Sequence, residues 1–185
     1  MSLVVKEQEK TVKLVEEGMY PAKCISVIDI GMQEIEFEGD KKEQPKVILQ
    51  FEIPSIVIEY EKDGEQKSFT KVFSKMYTAS FSQNSWLKKH LVSWRGKAFT
   101  EQEMQGFDLS AVLGKDCQLQ IINETAKNGK VYQNISPLPA IKGFTVDAQS
   151  ELLLIDLDTA TDETIASLPE WIQGKINDST QKKAD

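Results

Sequence analysis

The 185-residue chain is poor in the side chains that do metal and nucleophilic chemistry, with two cysteines and one histidine. Cys24 and Cys117 belong to no C-x-x-C pair, and His90 is a lone imidazole. That leaves neither a disulfide framework nor a zinc motif, so buried thiols, no metal and no cofactor are expected. Any run approaching the ~20 apolar residues of a membrane span is also missing, and no membrane partner is expected. Met1-Ser-Leu-Val-Val-Lys-Glu lacks a signal peptide's apolar core and cleavage site, which predicts a cytoplasmic protein. Only 10 Gly and 6 Pro occur against 40% apolar residues, so the chain is neither collagen-like nor wholly disordered. There is no phosphate-binding glycine loop and no nucleophile elbow. The expectation is a binding protein rather than an enzyme.

Charge is present in quantity but unevenly spread. The formal net charge of −7 argues, as a whole-chain figure, against a polyanionic partner. Residues 145–185 hold nine acids and three lysines, whereas residues 1–144 are almost balanced. Between Glu65 and Glu101 no acidic residue occurs, yet this window carries seven bases and seven of the 15 aromatics. The acidity belongs to the tail, and the window is the place to look for a site.

Residues 1–17 read as a polar lead-in. From Gly18 a strand pattern runs to Ile30, is interrupted at Gly31 as a bulge would be, and resumes from Gln33 to Phe37. Gly39–Pro45 reads as a loop. Val47–Ile53 is a second strand, broken at Pro54 and continued to Tyr60, and Asp63-Gly64 marks a hairpin into a third strand, Lys67–Tyr77. The period then becomes helical: Trp86, Leu87, Leu91 and Trp94 form an apolar face read as core, with Ser82 or Ser85 as cap and Gly96 as stop. Thr100 and Glu103 fit a capping box, and Asp108 can cap Leu109–Leu113. Cys117–Asn123 and Val131–Ile135 are strands joined at Asn128-Gly129, and Pro137 and Pro139 end the compact region near Gly143.

Three strands, a helix and a two-stranded hairpin fit a mainly β fold: a five-stranded Greek-key barrel of the OB type with its helix between strands three and four. A generic α+β sandwich fits the same order, but the kinked long first strand and the helix position favour the barrel. The barrel is assigned to residues 18–143. Residues 144–185 form an acidic appendage whose short helix sets Ile165, Leu168, Trp171, Ile172 and Ile176 on one side, either to dock on its own domain or to bind a partner.

The third strand alternates cation and aromatic. With a period of two, Lys67, Phe69, Lys71, Phe73, Lys75 and Tyr77 share one face, opposite Ser68, Thr70, Val72, Ser74 and Met76. Rings on which bases stack, interleaved with ammonium groups for phosphates, are what single-stranded nucleic acid requires. The competing reading puts the rings in the core with the lysine stems snorkelling to the rim. Lys88, Lys89, Arg95 and Lys97 lie close by in sequence, and Lys127, Lys130 and Tyr132 belong to the last hairpin, which in such barrels commonly touches nucleic acid.

Several short patterns resemble a family. Glu17-Gly-Met-Tyr-Pro-Ala, Val47-Ile-Leu-Gln-Phe-Glu-Ile-Pro, Lys75-Met-Tyr-Thr-Ala-Ser, Ser85-Trp-Leu, Trp94-Arg-Gly-Lys-Ala-Phe-Thr, Phe107-Asp-Leu, Leu113-Gly-Lys-Asp-Cys and Leu168-Pro-Glu-Trp-Ile are similar to bacteriophage-encoded OB-fold proteins of replication modules. The resemblance covers residues 16–143, with a weaker echo in 165–179. It implies single-stranded DNA binding in phage or prophage replication or recombination, in the bacterial host cytoplasm, with the basic strand-three and helix region falling on Lys71, Lys75, Tyr77 and Arg95. The acidic, Pro-Phe-ended tip of cellular bacterial single-strand binding proteins is missing, which puts partner recruitment by such a tip in doubt. The partners expected are single-stranded DNA, replication or recombination proteins met through the C-terminal segment, and a second copy of the chain. The rival expectation is a protein-interaction module, for phage assembly or host inhibition, on the same barrel.

Overall fold

The computed structural model describes residues 13–180; the first twelve residues of the expected lead-in and the end Gln181–Asp185 lie outside them. The chain runs β1 (Gly18–Phe37), β2 (Asp40–Lys62), β3 (Glu65–Thr78), α1 (Trp86–Arg95), α2 (Glu101–Gln105), a 3₁₀ turn at Leu109–Val112, β4 (Asp116–Thr125), β5 (Val131–Leu138), β6 (Leu153–Ile155), α3 (Asp162–Ala166) and α4 (Glu170–Asn177). The first five strands form a strongly curled antiparallel sheet in the order β3-β2-β1-β4-β5, a half-barrel, and β6 adds in parallel to β1. No helix among the described residues is long and apolar enough to cross a membrane.

Local chemistry accounts for the turns. Asp63 and Gly64 both take positive φ, at 55° and 77°, as a two-residue hairpin needs. Glu38 and Gly39 do the same at 51° and 85°, so the stretch expected to be a loop is a tight turn followed at once by strand. Gly31 sits in a register shift of β1, and Pro54 in one of β2. Ser85 caps α1, Gly96 ends it in the left-handed region, and Thr100 with Glu103 closes a capping box. β5 continues through Pro137 to Leu138, beyond the expected end. As an edge strand it tolerates a residue without an N–H.

The sheet has two buried faces. Inside the curl, Cys24, Val27, Val47, Leu49, Phe51, Ile53, Leu119, Ile121 and Ile135 meet Leu87, Leu91 and Trp94 of α1. Outside it, Ile28, Ile30 and Ile48 meet Ile155, Ile165, Leu168, Ile172 and Ile176. The C-terminal segment thus docks on its own sheet, the first of the two expectations. Burial on both sides explains why Val27-Ile28 and Val47-Ile48-Leu49 read as continuous apolar runs rather than clean alternation.

The strap from 144 to 152 has no ladder partner, and three of its amides are taken by two carboxylates. Asp116 accepts the Val146 N–H at 3.0 Å while pairing with Lys23 at 2.7 Å. Glu52, wholly buried, accepts those of Gln149 and Ser150 at 2.8 and 2.9 Å. Burial pushes the Glu52 carboxyl up, but hydrogen bonds from Ser150, Gln149 and Thr70 outweigh it and leave the net shift downward.

Candidate nucleic-acid interface

β3 pairs with β2 so that Val47, Leu49, Phe51 and Ile53 stand opposite Tyr77, Lys75, Phe73 and Lys71. Cross-strand partners share a face, and these β2 residues are core. The cation–aromatic face of β3 is therefore the inner face of the curl, not an outer surface. Its members separate along the strand. Tyr77 is 3% exposed and hydrogen-bonds Nδ1 of His90 at 2.8 Å, so its ring is core and the expected stacking role for it is corrected. Phe73 packs against the core beneath Lys71, whose Nζ lies 4.9 Å above its ring. Phe69, farther out, is half exposed and meets Tyr60 edge-on at 5.6 Å. Tyr60 was not singled out from the sequence, because only pairing reveals that it joins this face. Lys67 is exposed opposite Tyr60.

The half-barrel does not close between β3 and β5, and a groove of about 790 Å³ opens there. Lys75 crosses the gap to donate a hydrogen bond to Oδ1 of Asn134 on β5. Lys46, whose Nζ donates to Oγ1 of Thr78 at 2.7 Å, and the first turn of α1 complete the walls. Two exposed rings line the groove: Trp86, 66% exposed, and Tyr132, 48% exposed. Trp86 was expected in the core with Leu87, Leu91 and Trp94, and those three are there. Being the first residue of a helix capped by Ser85, Trp86 projects beyond the packed face; Lys89 lies 4.9 Å over its ring. Its position at N1 of the helix was the available signal. Lys46, Gln44 and Asn134 carried none.

Desolvation sets the electrostatics here. Burial lowers Lys75, against the pull of Glu124, and burial likewise lowers Lys46. Burial, with the charge of Lys75, brings His90 down to about 4, so at neutral pH it is an uncharged partner for Tyr77. Burial pushes Tyr77 far up.

The remaining candidates lie elsewhere. Arg95 is held by Glu103 at 2.8 Å and stacked 4.1 Å over Phe99, and it lines a second, mostly apolar cleft with Lys97. These two bases do not join Lys75. Lys127 and Lys130 are exposed at the β4–β5 turn, on the hairpin that carries Tyr132. Lys88 is part-buried on α1 and lines neither cleft. Among the described residues no three metal-ligating side chains converge.

Fold and groove together define a class: a curled β half-barrel with an aromatic and basic cleft at its open seam. Comparison with protein-family models and with curated proteins finds no match for this chain.

Proposed function

We propose that this protein binds single-stranded DNA, largely independently of sequence, through base stacking on Trp86 and Tyr132 and phosphate contacts to nearby lysines. One observation carries the reading: two large rings stand exposed on different elements of one groove, with Lys89 over the Trp86 ring and Lys127 and Lys130 exposed on the hairpin that carries Tyr132. Base–aromatic stacking contributes ~1–3 kcal/mol per base and tolerates any sequence, and lysine contacts add a salt-dependent term. Phe69 and Tyr60, with Lys67 and Lys71, extend the same chemistry outward along the β2–β3 hairpin. Five strands in this order with a helix between the third and fourth support an OB-type barrel. The family resemblance supports a place in phage or prophage replication or recombination, in the host cytoplasm. The half-exposed Trp171 of α4 offers a contact for replication proteins.

The test is a fluorescence titration of a poly-thymidine oligonucleotide at several salt concentrations. Trp86→Ala is expected to weaken binding about tenfold, the weight of one stacked base. Trp171→Ala, an exposed ring on the far face, should leave affinity unchanged. Absence of binding by the unmodified protein at low salt would falsify the proposal.

A further inference from the structure

Behind two of the residues that line the groove, Tyr132 and Asn134, stands a charge of the wrong sign for a phosphate site. Glu124 of β4 accepts the Tyr132 hydroxyl on Oε2 at 2.7 Å, and the Asn134 amide reaches Oε1 at 3.5 Å. Asn134 in turn accepts from Lys75. Tyr132, Glu124, Asn134 and Lys75 thus form one chain across the open seam, from β5 and β4 to β3. Hydrogen bonds from Tyr132 and Asn134, and then the charge of Lys75, hold the Glu124 carboxyl below the ordinary range, so it is an anion at neutral pH.

A phosphate approaching Lys75 meets that carboxylate and must work against it or displace it from two partners. A base meets no such penalty. It is neutral and flat, lies on the Tyr132 ring, and turns its polar edge toward a carboxylate and an amide that still have hydrogen-bonding capacity. We infer that Glu124 is the specificity residue of this groove: it turns phosphates away from Lys75 and admits bases. The strand then lies with bases inward and phosphates toward Lys89 on the rim and Lys127 and Lys130 on the hairpin. Such a groove selects a base-bearing polyanion over a bare one.

This inference rests on the single-stranded DNA reading above, and the experiment separates the two. Affinities of the full chain for a poly-thymidine oligonucleotide and for inorganic polyphosphate are measured in Glu124→Gln and in Tyr132→Phe. The second variant keeps the ring and frees the carboxylate. The unmodified protein should prefer the oligonucleotide. In Glu124→Gln, polyphosphate affinity should rise about fivefold, the weight of one unit charge beside a surface cation, with oligonucleotide affinity changing less than about twofold. Tyr132→Phe should lower the ratio of oligonucleotide to polyphosphate affinity, and serves alone if Glu124→Gln misfolds. Equal gains for both ligands, no gain, or weaker oligonucleotide binding in both variants overturns the role of Glu124 and leaves DNA binding standing. If the unmodified protein binds no oligonucleotide, both readings fall.

Discussion

Gly31 shows how one residue ties the two halves of the molecule together. Its φ is +73°, and a Cβ there would lie 2.3 Å from Oγ of Ser179 and 3.1 Å from Leu157. The bulge lets the C-terminal turn approach the β1 backbone, where the Thr180 N–H bonds the Met32 carbonyl at 3.0 Å and Gln33 bonds the Lys175 carbonyl at 2.8 Å. Gly31→Ala should cost at least about 2 kcal/mol and lower Tm by ~5 °C, combining left-handed strain with a clash against the Ser179 side chain. Gly39→Ala, also at positive φ but with nothing within 4 Å, should cost about half of that; equal losses would remove the packing explanation. His90 gives a second test at this scale. Its folded-state value near 4 lies below the unfolded value of ~6.5, so the unfolded chain binds the proton first. Stability should therefore be full above pH 6.5 and fall as pH drops from there toward 4. Chemical denaturation across that window should show the slope, and His90→Gln should flatten it.

At the scale of elements, the strap depends on carboxylates rather than on a ladder. Glu52→Gln keeps the shape but sets an amide N–H₂ against one of two backbone donors, leaving it unpaired in a buried place. A loss of about 2–3 kcal/mol is expected, with faster hydrogen exchange at Gln149 and Ser150 than elsewhere in the sheet. Uniform exchange changes over the whole sheet would contradict a local clamp. Much at this scale is legible in the sequence, because turns, caps and breaks are local: Asp63-Gly64, Ser85, Gly96, Thr100 with Glu103, and Gly31 as a bulge. The error at Gly39–Pro45 arose because the charged, exposed residues 40–43 carry no apolar signal, although pairing with β1 makes them strand. The face of β3 shows the opposite limit. Alternation tells which side chains share a face but not whether that face is inside, and here one face runs from core at Tyr77 to solvent at Phe69.

For the whole molecule, the C-terminal segment acts as a second layer and not as a free tail. Its helices cover Ile28, Ile30 and Ile48, which are completely buried. A chain ending at Gly143 should expose them and aggregate, or bind a hydrophobic dye, whereas Ile172→Ala in the full chain should cost ~2–5 kcal/mol and remain folded. A soluble, fully stable truncated chain would show that the outer layer contributes nothing. The β-rich order, the hairpin and cap positions, the acidity of the last forty residues, and the acid-free window with seven bases and seven rings are all legible along the chain. Tertiary structure alone decided which of those rings are available. The curl of the sheet buries Tyr77 and half-covers Phe73, the helix start leaves Trp86 exposed, and the open seam brings Lys75 to Asn134 across 59 positions. The physical reason is that burial is set by what packs above a face. Neither the covering helix nor the facing strand is written into the local pattern of the strand they cover.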